Sequence, residues 1–168
     1  TNIHRPTYMS TATPTTALPS IKDARVAIVR AQWNGHITGP LSSSAHDTLI
    51  ANGFRPDDVV MLDVPGAIEL TFAASQLIES SLFDAVITIG CVVRGDTPHF
   101  DYVCQSVTQG ITSLNADCDI PVIFGVLTVD TEQQALERIA GGKVGDKGAE
   151  AAEAAIRMIA FRRAVDAL

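Results

Sequence analysis

The residues best suited to chemistry stand together in Arg94-Gly95-Asp96-Thr97-Pro98-His99. An imidazole moves protons near neutral pH, which makes His99 the natural general acid or base of the stretch. Gly95 lets a backbone approach a ligand closely, and Thr97 adds a short polar side chain, so a turn of this composition can hold a phosphate beside His99. Asp96 fits that picture through its backbone N–H, since its carboxylate would repel the anion. Pro98 fixes its own φ and pushes Thr97 towards an extended conformation, which stiffens the turn. On local sequence alone, an ordinary helix-start histidine bonded to a neighbouring backbone group would look the same.

Such a turn needs a strand before it and a helix after it. Ala85 to Val93 is an apolar, β-branched run of the kind a parallel strand requires when both of its faces are covered. Phe100, Val103, Cys104, Val107, Ile111 and Leu114 then recur at helical spacing. The same grammar runs through the rest of the chain. Arg25 to Arg30 reads as the first strand and delivers the only tryptophan, Trp33, into a loop beside Asn34, where its ring either caps the core or offers a flat face to a planar ligand. A first helix is expected from Gly39-Pro40 to Asn52, stopped by Gly53. Val59 to Val64 is the second strand, and Pro65-Gly66-Ala67-Ile68-Glu69 opens the second helix, which ends before Ser80-Ser81. Small residues there expose backbone groups able to read the edges of a heterocycle, while Glu69 suits a helix N-terminus.

Ile120 to Val129 is expected as the fourth strand, broken by Gly125, with Phe124 either in the core or at a subunit contact. Asp130 to Gln134 carry helix-start residues, and the helix is expected to continue through Ala140 with Arg138 on it. Ala149 to Ala167 is a final alanine-rich helix. Strands alternating with helices predict a three-layer αβα sandwich around a four-stranded parallel sheet with right-handed crossovers. The glycine spacings match neither GxGxxG nor GxxxxGK[ST], so neither a dinucleotide nor a nucleoside triphosphate site is supported.

The 168 residues, 46% hydrophobic and 18% charged, suit one folded domain, 21–168. Residues 1–20, rich in Thr, Ser and Pro, are expected to be a largely flexible tail able to add to a neighbouring subunit's sheet edge. A net charge of −7 argues against nucleic acid as a partner. No apolar run has the length of a membrane span. Cys91, Cys104 and Cys118 are odd in number and sit in apolar contexts, which suits free thiols in a cytoplasmic protein. The four histidines and the cysteines share no zinc-like spacing, so no metal is expected.

With Trp33-Asn34, Pro65 to Glu69, Gly90 to Tyr102, Val122-Ile123-Phe124-Gly125 and Arg138 in order, the chain resembles the lumazine synthase family over roughly residues 24 to 165. The resemblance implies a flavodoxin-like strand order and an enzyme without a cofactor. Its reaction condenses 5-amino-6-(D-ribitylamino)uracil with 3,4-dihydroxy-2-butanone 4-phosphate to 6,7-dimethyl-8-ribityllumazine, the penultimate step of riboflavin synthesis. It makes His99 the proton-transfer residue and Trp33 the ring stacked on the pyrimidine, with Asn34 beside it. Ala67, Ile68, Glu69, Cys91, Val92 and Val93 become pyrimidine and ribityl contacts, and Gly95, Asp96, Thr97 and Arg138 the phosphate site. Phe124 would arrive from a neighbouring subunit, so a complete site implies a homo-oligomer. A functional link to riboflavin synthase follows from the same resemblance.

Three positions depart from the usual family pattern. Trp33 replaces a phenylalanine, Ile68 stands where an aromatic is frequent, and Pro98 replaces a threonine. The segment from Arg138 to Lys147 is one residue longer than in members that build sixty-subunit shells, which favours a free pentamer, with a decamer as the alternative. Two other readings stay open. A homologue could bind flavin or lumazine with weak or no turnover, and a flavodoxin-like signalling module would rest on fold alone, with only Asp63 and Asp130 near strand ends.

Overall fold

The computed structural model describes residues 16–168, so the expectations for the tail fall largely outside the described residues. Four strands, β1 (Val26–Ala31), β2 (Val59–Val64), β3 (Ala85–Val93) and β4 (Val122–Val129), form one parallel sheet in the order β2-β1-β3-β4. This is the flavodoxin-like order expected. Central β1 and β3 are covered on both faces, and their apolar runs follow from that.

Successive side chains of a strand point to opposite faces, and the core divides accordingly. On one face Ile28, Ile87 and Ile89 pack against α1 (Gly35–Ala51) and α5 (Lys147–Asp166) through Leu41, Leu49, Ile156 and Ile159. On the other, Val29, Val86 and Val126 meet α2 (Leu70–Glu79) and α3 (His99–Asp117) through Leu70, Ala74, Val107 and Ile111. These are the three layers. A short α4 (Glu132–Leu136) follows β4.

Strand β1 and helix α5 are shifted by one or two residues from the sequence expectation, and three further boundaries differ for visible physical reasons. Helix α1 begins at Gly35, a full turn before Gly39-Pro40, because Asn34 adopts φ 59° and ψ 45° and turns the chain directly from β1 into the helix. The Asn34 carbonyl accepts from the N–H groups of Ile37 and Thr38, and the buried Thr38 hydroxyl donates 2.7 Å to the Ala31 carbonyl. Pro40 therefore lies inside the helix, where it leaves the His36 carbonyl without its usual donor.

Strand β4 begins at Val122 and runs unbroken through Gly125. A Cβ on Gly125 would lie 2.5 Å from the Thr88 carbonyl oxygen and 2.8 Å from Ile89 Cδ1, so this glycine serves close packing rather than interruption. Helix α4 ends at Leu136, leaving Arg138 in the turn beyond it. The carbonyls of Glu137 and Arg138 accept from Val144 and Lys147, which competes with helical continuation. Asp146 then caps α5, accepting from Gly148 and Ala149 while Ser44 of α1 donates 2.7 Å to its other oxygen.

Candidate active site

In this strand order the chain moves outward from β1 to β2, then crosses back to β3 on the other side of β1. The carboxyl ends of β1 and β3 therefore flank a topological switch point, where an open parallel sheet leaves a crevice. A cavity of about 480 Å³ lies there. Trp33 and Asn34 reach it from the end of β1, Gly66 to Glu69 from the end of β2, and Cys91, Val92 and Val93 from the end of β3. Gly95, Thr97 and His99 close it, backed by Phe100 and Val103 of α3.

Backbone hydrogen bonds stitch these strand ends together. The N–H groups of Gln32 and Trp33 donate to the carbonyls of Val64 and Pro65 at 2.8 and 3.0 Å. The Asn34 amide donates 2.9 Å to the Cys91 carbonyl, so a left-handed residue after β1 is pinned to the end of β3 across the switch point. Trp33 is 74% exposed and does not plug the core; its indole and the half-exposed Ile68 are apolar surfaces at the cavity mouth. Cys91 is buried, and burial, helped by the charge of Glu132, pushes its thiol from an ordinary 9.0 up to about 11. It is a neutral contact at neutral pH and no nucleophile. Glu132 itself pairs with His36 of α1.

The turn between β3 and α3 is polar and exposed throughout. The space beside Gly95 is open, which leaves its backbone accessible. His99 is the first residue of α3, and its N–H reaches the Thr97 hydroxyl at 3.4 Å. Asp96 does not line the cavity. Arg94, at the start of the turn, is held by side chains on both sides of it. Its Nε donates 2.8 Å to Asp130, its Nη1 donates 3.4 Å to Asp101, and its guanidinium lies 4.3 Å from the centre of the Phe100 ring. The hydrogen bond to Asp130, opposed by partial desolvation and reinforced by Asp101, raises the Arg94 pKa further above its ordinary value.

Of the predicted residues, Trp33, Asn34, Ala67, Ile68, Glu69, Cys91, Val92, Val93, Gly95, Thr97 and His99 share the cavity. Phe124 and Arg138 do not line it. Phe124 sits on edge strand β4 opposite Thr88, 41% exposed. Arg138 donates 2.7 Å to the Gln134 carbonyl and approaches Glu137 at 4.0 Å. Sequence reasoning missed Phe100 and Val103, which helical spacing assigns to the core although the first turn of α3 opens on the cavity. It also missed the contacts of Arg94, whose partner Asp130 lies 36 residues away.

A family model described as 6,7-dimethyl-8-ribityllumazine synthase matches residues 23–163. The chain is 56% identical over 147 residues to the 6,7-dimethyl-8-ribityllumazine synthase of Porphyromonas gingivalis, covering 88% of this chain and 91% of that one. It is 52% identical over 146 residues to that of Phocaeicola vulgatus, covering 87% and 86%. To that of Parabacteroides distasonis it is 54% identical over 145 residues, covering 86% and 90%.

Proposed function

This chain belongs to the 6,7-dimethyl-8-ribityllumazine synthase family, and on that premise we propose that the cavity at the β1/β3 switch point is its synthase site, completed by a second copy of the chain. The enzyme is a transferase of riboflavin biosynthesis, condensing 5-amino-6-(D-ribitylamino)uracil with 3,4-dihydroxy-2-butanone 4-phosphate to 6,7-dimethyl-8-ribityllumazine. The observation that carries the site assignment is the convergence of a flat apolar ring, three strand-end backbones and an exposed imidazole on one cavity of about 480 Å³. That volume suits a small-molecule site.

In this reading Trp33 stacks on the pyrimidine, while the backbone groups of Ala67 to Glu69 and Cys91 to Val93 meet its edges and the ribityl hydroxyls. The N–H groups of the Gly95-Asp96-Thr97 turn hold the phosphate, aided by the positive end of α3. His99 moves protons during imine formation, in which the amine attacks a carbonyl and water departs, and during phosphate loss. Such transfer contributes about 10²–10⁴-fold. Holding two substrates together removes more of the barrier, about 7–11 kcal/mol at best.

Phe124 and Arg138 enter as contributions of the adjacent copy, a reading supported by their absence from this chain's own cavity lining. The guanidinium of Arg138 supplies a fork of donors matched to phosphate oxygens. We favour a homopentamer on the strength of the lengthened Arg138 to Lys147 segment. Cytoplasmic residence fits three cysteines that are all free. Among the described residues no helix is long and apolar enough to cross a membrane. The lumazine product would pass to a riboflavin synthase.

Mixing two impaired variants tests the shared site. His99→Ala and Arg138→Ala chains should each be slow alone, as read by absorbance-detected lumazine formation. Dissociated and reassembled together, they should regain activity, because at random about one site in four draws an intact His99 and an intact Arg138 from different copies. No recovery in well-assembled mixed oligomers would place both residues in one chain's site and refute the sharing.

A further inference from the structure

Arg94 directly precedes the turn that holds the phosphate in the reading above, and by position alone it would pass for an anion ligand. We propose instead that Arg94 is a positioning residue, a clasp that holds residues 95–99 in the shape the phosphate-bearing substrate requires without touching that substrate. The inference rests on the site assignment just made.

Four observations support the clasp. First, the Arg94 guanidinium is already engaged by two carboxylates, Asp130 at 2.8 Å and Asp101 at 3.4 Å. A cluster of one cation and two anions carries net negative charge and does not attract a phosphate. Second, Arg94 does not line the cavity, whereas Phe100, on which its guanidinium stacks, does. Third, the Arg94 N–H donates 2.9 Å to the Val129 carbonyl, which fixes the stem of the clasp to the end of the sheet. From that stem the side chain reaches over the turn to the first turn of α3, at Phe100 and Asp101, and to the loop after β4, at Asp130. The residues between, 95–99, become a closed hoop carrying the anion-facing N–H groups at one end and the imidazole at the other.

Fourth, the hoop's own hydrogen bonds are local. His99 N–H reaches Thr97 at 3.4 Å, and Asp101 N–H reaches the Pro98 carbonyl at 2.9 Å. Neither ties the hoop to the sheet, as the Arg94 contacts do. An ammonium would not substitute well. A planar guanidinium can stack on a ring and serve two diverging carboxylates together, whereas lysine acts as a point charge. The three charged side chains are 46%, 54% and 63% exposed, and exposed pairs contribute little to stability. The role should therefore appear in kinetics and not in folding.

The test compares the wild-type oligomer with Arg94→Gln, Arg94→Lys, Asp130→Asn and His99→Gln, varying each substrate in turn. Arg94→Gln should lower kcat by about 10²-fold, as misplacement of a catalytic group does. KM for the phosphate substrate should rise while KM for the pyrimidine stays as in wild type, with melting temperature and assembly unchanged. Arg94→Lys should recover part of the loss, and Asp130→Asn should show the same split in smaller form. Wild-type constants in Arg94→Gln, or losses confined to the unfolded fraction, would overturn the clasp. So would weakened inhibition by inorganic phosphate with kcat intact, which would make Arg94 a direct ligand. Full turnover in His99→Gln would instead overturn the site assignment, so the two failures read differently.

Discussion

Trp33 offers the sharpest separation of binding from folding. Its side chain is 74% exposed, so truncation to alanine removes little buried surface, and a change in stability within about 0.5 kcal/mol is expected. In the proposed site its value lies in what it does for a planar ligand. Base–aromatic stacking is worth about 1–3 kcal/mol by alanine substitution. At about 1.4 kcal/mol per decade, this corresponds to an affinity loss of about 5- to 150-fold for the pyrimidine substrate. Trp33→Phe should retain most of the affinity, because a flat face remains. Trp33 is the only tryptophan, so quenching of its fluorescence reports ligand arrival directly in the wild-type chain. Steady-state kinetics and melting curves serve for the variants. The expected outcome is a raised KM for the pyrimidine alone at an unchanged melting temperature. A melting temperature that falls by many degrees while KM holds would refute the argument, since Trp33 would then be a packing residue.

Three further outcomes follow from the geometry. Cys91, with its thiol raised from 9.0 to about 11, should resist iodoacetamide at neutral pH and react only in strong alkali. The unfolded chain ionises this thiol first, so its contribution to stability is complete below pH 9 and is lost as pH rises towards 11, a component that Cys91→Ala should lack in alkaline melts. Gly125→Ala forces a methyl to within 2.5 Å of the Thr88 carbonyl oxygen and should destabilise by about 1–3 kcal/mol, visible as a drop of about 2–4 °C in Tm per kcal/mol. Asn34→Ala should cost about 1–2 kcal/mol for the left-handed backbone and also lose the Cys91 contact, whereas Asn34→Gly keeps the conformation and should melt closer to wild type.

Much of the fold is legible in the chain because burial on both faces demands long apolar runs. Ala85 to Val93 could be read as a central strand for that reason, and the structure gives it those bounds. Errors cluster where a single backbone conformation decides. No local pattern announces that Asn34 turns left-handed and starts α1 early, since asparagine also suits ordinary loops. Gly125 looks like a strand breaker in sequence. Its reason is the Thr88 carbonyl and Ile89 side chain lying against it, contacts that exist only once β3 and β4 pair.

The candidate site divides along the same line. Residue types in Trp33-Asn34, Pro65 to Glu69 and Gly95 to His99 declare which segments could bind a ring, a heterocycle edge and a phosphate, because those capacities are properties of side chains and turns. Their convergence on one cavity is decided by sheet order, which brings the ends of β1, β2 and β3 together although 57 residues separate Asn34 from Cys91. The anchoring of Arg94 by Asp130 likewise needs β4 beside β3. By itself, then, the sequence determined the strands, the chemistry of the strand-end turns and the family they resemble, because each is written in short-range residue patterns. Only the tertiary structure decided which of those turns share a cavity and which side chains meet Arg94 at the start of the 95–99 turn, because strand pairing across long sequence separations sets both.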